Sequence, residues 1–280
     1  VKDTGNALIA ELGGVDIFQY VYLSDMPVYE SPKPYFHPVR TLASDVVTAY
    51  RPHDHRWHKG IQMTVSHLSG ENFWGGGSYV HPGRYVDLPN NGSMRHAGFT
   101  TLLADGFTET LAWHTQAGAH WADEQRSVSF GQIDEQAWSL SFSTEITNTR
   151  GEELRFGSPT THGRPSAGYS GLFWRGPRAF TDGGVLASGS GLMGEQGRWL
   201  AFTSQHDEVD RASTIVFAAE PDTTWFVRTT PFPAVNPSLA FHDEVSLPPG
   251  ETLSRTYQIV VANGSWDRER IEGALSHAQR

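Results

Sequence analysis

The chain has 280 residues, of which 38% are apolar and 19% charged, enough to build a sizeable core and too little charge for a disordered polymer. Acidic residues outnumber basic ones by 31 to 21, giving a formal net charge of −10, which argues against a phosphate backbone and so against a nucleic-acid partner. No apolar run approaches the roughly 18–20 residues of a membrane-spanning helix, and the absence of cysteine excludes disulfides, thiolate metal sites and thiol catalysis.

The first residues show no basic segment followed by an apolar one, so the expectation is a cytoplasmic protein; a trimmed export signal fits the same start. Alternation with a period of two then predicts strands over 15–23, 61–65, 99–104, 110–115 and 127–133. The longest is 138–147, where Trp138, Leu140, Phe142, Thr144 and Ile146 alternate with Ser139, Ser141, Ser143, Glu145 and Thr147 before an Asn-Thr-Arg-Gly turn. Further strands are predicted over 154–157, 171–175, 199–204, 213–219, 224–229, 239–245 and 254–261. Residues 74–89 and 183–197 read as long loops. Helical periodicity is confined to 266–278, capped by Ser265 or Asp267. The fold class is therefore all-β, a large antiparallel β-sandwich with one C-terminal helix. No repeat or linker interrupts it, so residues 1–280 read as a single domain.

Four clusters carry chemistry. Residues 51–60 hold His53, Asp54, His55, His58 and Lys59 just before a strand; imidazoles so grouped exchange protons or bind a metal. Strand alternation carried back from Gln62 and Thr64 puts His58 on the polar face and Lys59 on the apolar one. The strand then begins after Lys59, or Lys59 is paired with a carboxylate. Around residues 158–178, His162 and Arg164 would share a strand face about Gly163, with Trp174, Arg175 and Arg178 adding a flat apolar surface and cations. Asn72 and Trp74 precede a glycine run at a pocket rim, and Asn236 sits in a proline-rich turn ahead of His242 and Glu244. Neither a nucleophile elbow nor a nucleotide-binding glycine loop has its required context.

The segments Lys33–Pro38, Arg51–Gly60, Asn72–Trp74, Thr161–Pro165 and Gly171–Arg175 together resemble a bacterial family of poorly known function, often labelled "methane oxygenase PmoA-like". The membrane span of the true oxygenase subunit is absent. Residues 145–154 followed by Thr160, Thr161 and His162 are similar to the galactose-mutarotase-like supersandwich. That resemblance implies a large antiparallel sandwich with a sugar site on its concave polar face, His162 as the acid–base histidine and His58 as the earlier one. The mutarotase glutamate has no motif match, and Glu244 is a positional candidate only.

The resulting expectation is a soluble carbohydrate-active enzyme performing epimerisation, elimination or hydrolysis by general acid–base catalysis. His58 and His162, with His55, would move protons, and Asp54 would orient an imidazole. Lys59, Arg164 and Arg178 would hold an oxyanion, carboxylate or hydroxyls. Trp74 and Trp174 would stack on a sugar ring, with Asn72 and Asn236 touching it from the rim. No cofactor or metal is expected in this reading. The alternatives are a metalloenzyme using His53, His55 or His58 with a distant histidine, and a non-catalytic sugar-binding domain.

Overall fold

The computed structural model describes residues 1–191 and 193–278. Two eight-stranded antiparallel sheets form the body. The first runs in the order Lys2–Asp3, Ala7–Leu12, Val15–Val21, Tyr35–Val39, Ile61–Thr64, Gly171–Arg175, Ala234–Ser238, Thr224–Arg228. The second runs Gly184–Ala187, Trp199–Gln205, Ala212–Ala218, Thr252–Asn263, Ala137–Asn148, His120–Gln132, Gly106–His114, Ser93–Leu103. A three-stranded sheet sets Leu154–Gly157 between Val245–Leu247 and His67–Leu68, and a small hairpin joins Ser78–Val80 to Arg84–Val86. The expected β-sandwich with one C-terminal helix is what the chain builds, and no described helix is long and apolar enough to cross a membrane.

Alternation explains how the layers meet. In Ala137–Asn148 the residues Trp138, Leu140, Phe142 and Ile146 point into the core, and Phe142 lies across from Val128 on one side and Tyr257 on the other. From the first sheet, Phe18, Phe36, Ile61, Met63, Leu172 and Trp174 meet them. The outer face of the second sheet is closed by the helix Arg268–Ala278, whose Ile271, Ala274 and Leu275 pack with Trp266 on Trp199, Ala201, Val216 and Val260. Asp267 accepts a hydrogen bond from the backbone N–H of Arg270, so it, and not Ser265, caps the helix. The outer face of the first sheet carries a separate aromatic layer of Trp74, Phe173, Phe226, Phe232 and Phe241.

Several expectations change. The segment 239–245 is not a strand; the chain pairs over Ala234–Ser238, bends, and pairs again over Val245–Leu247. Asn236 therefore lies within a strand and not in a turn. The loop read over 74–89 contains the small hairpin, and that over 183–197 contains the edge strand Gly184–Ala187, while Leu192 lies outside the described residues. Residues 159–166 form successive turns, so His162 and Arg164 do not share a strand face.

The core also contains a charged network that no local pattern announces. The Arg126 guanidinium donates to both oxygens of Glu124, at 2.8 and 3.0 Å, and to the Tyr20 hydroxyl at 2.9 Å. Tyr20 in turn donates to Glu109, which also faces Nδ1 of His96 at 2.6 Å. Glu124 accepts further from the Trp113 indole and the Thr144 hydroxyl, both at 2.9 Å. Arg126, Glu124 and Glu109 are all buried. Removing one partner of such a group strands the others, at a cost of about 3–5 kcal/mol. Arg126→Met should accordingly lower the unfolding free energy by that order in urea titration; an unchanged midpoint would show that the network contributes nothing net.

Candidate functional site

The histidine-bearing loop is shaped by its own backbone. His55 N–H bonds Pro52 O, His58 N–H bonds His55 O, and Arg51 N–H bonds His58 O, each at 2.9 Å. Gly60 ends the loop with φ +56, and a Cβ there would lie 2.0 Å from the carbonyl oxygen of Phe36. Only glycine lets the loop drop onto the sheet at this point. Strand pairing starts at Ile61, and Lys59 is paired with a carboxylate, so both conditions inferred for Lys59 hold.

That carboxylate is Glu30. It accepts from Lys59 Nζ at 2.7 Å and from Arg51 at 2.6 and 3.0 Å. Burial pushes the Glu30 carboxyl up, but the hydrogen bonds and charges of Arg51 and Lys59 outweigh it and hold it below its ordinary value. Burial also pulls the Lys59 ammonium down to about 8, against the pull of Glu30. Nearby, Lys33 is fully enclosed and donates to the carbonyls of Ser31 at 2.6 Å and Trp74 at 3.1 Å. Asn72 shapes the adjoining loop: its Oδ1 accepts from the N–H groups of Trp74 and Gly75 at 2.8 and 2.9 Å. Lys59 and Asn72 are thus buried supports and do not reach a ligand.

Above these supports, on the outer face of the first sheet, lies a cavity of about 320 Å³. Its walls are aromatic: Trp57, Trp74, Tyr85, Tyr169, Phe173, Phe226 and Phe232. His55 and His58 enter it as a stacked pair with ring centroids 4.8 Å apart. Arg164 and Arg228 supply cations, and Asp87, bonded by the Tyr29 hydroxyl at 3.0 Å, supplies a carboxylate. Arg164 donates to the Tyr85 hydroxyl, which lies 2.5 Å from that of Tyr169.

The two imidazoles differ. His58 is buried, and its Nδ1 lies 3.1 Å from Nη1 of Arg175. Guanidinium only donates, so Nδ1 accepts and Nε2 carries the proton. Burial drives the His58 pKa well below its ordinary value, and the charges of His55 and Arg175 push the same way. His58 is therefore a neutral hydrogen-bond donor. Arg175 is itself enclosed, 3.8 Å above the Phe232 ring, with Nε and Nη2 lacking hydrogen-bond partners. Burial lowers its pKa to about 10, which leaves it charged at neutral pH. His55 is partly open; burial lowers its pKa, while Asp54, 3.3 Å from Nδ1, acts in the opposite sense. Asp54 is anchored by Arg178 at 2.9 Å.

The structure thus gathers His55, His58, Trp74 and Arg164 around one cavity, with Asp54 and Arg178 behind His55. It does not bring His162 there; His162 lies against His67 and Glu244. Trp174 is no stacking surface: it is buried against Phe202 and Phe217, and its indole N–H bonds Val47 O at 2.8 Å. Asn236 is no ligand contact either, since its side chain bonds the backbone of Ser170 and Leu172. The sequence reading missed Trp57, Tyr85, Tyr169, Phe226, Arg228 and Phe232. Trp57 and Tyr169 lay inside clusters already singled out; the others come from separate strands and loops that only tertiary packing assembles.

Residues 8–276 match the model of a family described as "Family of unknown function (DUF6807)". The chain belongs to this family. That agrees with the expected family of poorly known function, while the "PmoA-like" label finds no support. No curated protein sequence matches the chain. Among solved structures, it is similar to a galactose mutarotase related enzyme from Lactobacillus acidophilus, at 10% identity, covering 92% of this chain and 97% of that one, with a TM-score of 0.44. It is also similar to a protein from Synechocystis sp. PCC 6803, at 10% identity, covering 93% and 96%, with a TM-score of 0.44.

The Glu30 pairing yields a test. Glu30→Ala leaves Lys59 buried beside no carboxylate, a loss on the order of 3–5 kcal/mol at pH 7. Without Glu30 the Lys59 pKa falls further below its unfolded value, so the variant regains stability as pH rises past 7, before the wild type does. The deficit measured by urea denaturation should be smaller at pH 9 than at pH 7; equal deficits would separate the loss from Lys59.

Proposed function

We propose that the cavity binds a sugar bearing a carboxylate or similar anionic group, and that the protein transforms it by proton transfer through His55. Aromatic faces suit the C–H surfaces of a pyranose ring, and Trp57 and Trp74 offer two. Arg164 and Arg228 at the wall, with Arg175 beneath, outnumber the single carboxylate Asp87. An anionic substituent offsets that excess; a neutral hexose does not. His58 would donate a hydrogen bond from its Nε2–H to a carbonyl or hydroxyl oxygen, keeping its proton and staying neutral. His55, unprotonated at neutral pH and backed by Asp54, is the general base. The observation that carries this reading is the stacked His55–His58 pair beside Arg175 inside an aromatic cavity. Epimerisation and elimination both begin by removing a proton from carbon, which this arrangement serves directly.

The experiment is proton NMR in D₂O with glucuronate, galacturonate, glucose and galactose as probes. The uronates should bind more tightly and exchange a ring proton or give product, and His55→Gln should slow that step by roughly 10²–10⁴. Activity needs His55 unprotonated, and its pKa lies below the ordinary 6.5, so the rate should stay level through neutral pH and fall only on the acid side of 6.5. Binding without exchange or turnover would leave a sugar-binding domain in place of an enzyme. No preference for uronates would remove the anionic assignment.

A further inference from the structure

A second constellation lies outside the cavity. His67, His162 and Glu244 each offer a ligand atom, and the three atoms lie within 4.8 Å of one another. Among the described residues this is the one such grouping of histidine and carboxylate side chains. We propose that His67, His162 and Glu244 bind a divalent first-row transition ion.

The three-stranded sheet creates the grouping. Leu154–Gly157 is its middle strand, and Gly157 pairs with His67 on one side. On the other side Phe156 pairs with Val245, which sets Glu244 beside Gly157. The turn that follows brings His162 back over the same point. A Cβ on Gly157 would lie 3.2 Å from both Glu244 Oε1 and His162 Cε1, and 2.8 Å from Thr161 Oγ1. The absent side chain at 157 is what allows three elements to converge.

Hydrogen bonding orients His162. Its Nδ1 lies 3.0 Å from both the carbonyl oxygen of Ser158 and the hydroxyl of Thr161, which turns the other ring nitrogen outward. Nε2 then faces Glu244 Oε1 at 3.5 Å. A cation seated between them would be held by both. A carbonyl holding the far nitrogen of a ligating histidine is the usual supporting contact in such sites. His67 completes the set: its Nδ1 is buried without a hydrogen-bond partner, and its ring centroid lies 3.6 Å from that of His162.

Two imidazoles and one carboxylate suit zinc, iron(II), cobalt or manganese better than calcium or magnesium, which prefer all-oxygen shells. Three protein ligands leave coordination positions open, and His162 and Glu244 are about 31% and 30% exposed, so solvent reaches the site. His162 is thereby a ligand and not the acid–base partner of His58.

The test uses the full chain stripped with EDTA and titrated with Co²⁺, read by visible d–d absorption, with Zn²⁺ as displacing ion. One Co²⁺ should bind, Zn²⁺ should displace it, and Glu244→Gln and His162→Asn should each weaken binding at least about tenfold. His55→Asn serves as control and should leave the titration unchanged. Melting temperatures in EDTA establish that each variant is folded, and Glu244→Gln is a small change at a half-exposed position. If the wild type shows no saturable spectrum, the space between His162 and Glu244 holds a proton and the proposal fails. It fails equally if folded variants bind Co²⁺ as the wild type does.

Discussion

One buried carboxylate organises the face that carries the cavity. Glu30 sits at the end of a short 3-10 turn and takes hydrogen bonds from Arg51 and Lys59, at the two ends of the histidine loop. Fastening both ends fixes everything between them, including the backbone that presents His55 and His58. The same turn reaches the glycine loop after Trp74 through Lys33, whose ammonium bridges the Ser31 and Trp74 carbonyls. Two separate loops are therefore referred to one point on the sheet. Such groups are expensive to bury and serve only if fully paired, which makes them devices of position more than of net stability.

The strands with one wet or mixed face were legible because side-chain direction alternates strictly. Residues 138–147 predicted a strand that the structure extends by one residue at each end. Residues 154–157 and 171–175 were read with the bounds the structure has. Ala7–Leu12 was missed because its apolar run lacks polar alternation. Tyr35–Val39 was missed because Pro38 argues against a strand, although the structure accommodates it. The segment 239–245 had the pattern of a strand but bends, and its apolar residue Phe241 is used by the outer aromatic layer. A pattern tells that a side chain is buried; it does not tell against which layer.

The site was legible in part for the same reason. Histidine clustering pointed to 51–60, and extrapolated alternation pointed to the pairing of Lys59, because a charge on an apolar face requires a partner. The partner, Glu30, lies twenty-nine residues away and had no signal of its own. Trp174 was misassigned because a tryptophan amid glycines and arginines looks the same in sequence whether it faces solvent or the core. The neighbour Phe173 shows the difference: one step along the strand turns its ring to the cavity while Trp174 points inward. His162 was singled out in the sequence, yet which other groups it meets depends on the pairing of three short strands.

Arg175 has a further consequence. A surface guanidinium acts through solvent, and its influence fades over a Debye length of about 8 Å at physiological ionic strength. Arg175 is enclosed beneath the cavity floor and cannot recruit counter-ions of its own. The field it casts into the hollow is consequently screened by salt much less than that of an exposed arginine, so its positive charge is still felt there in brine.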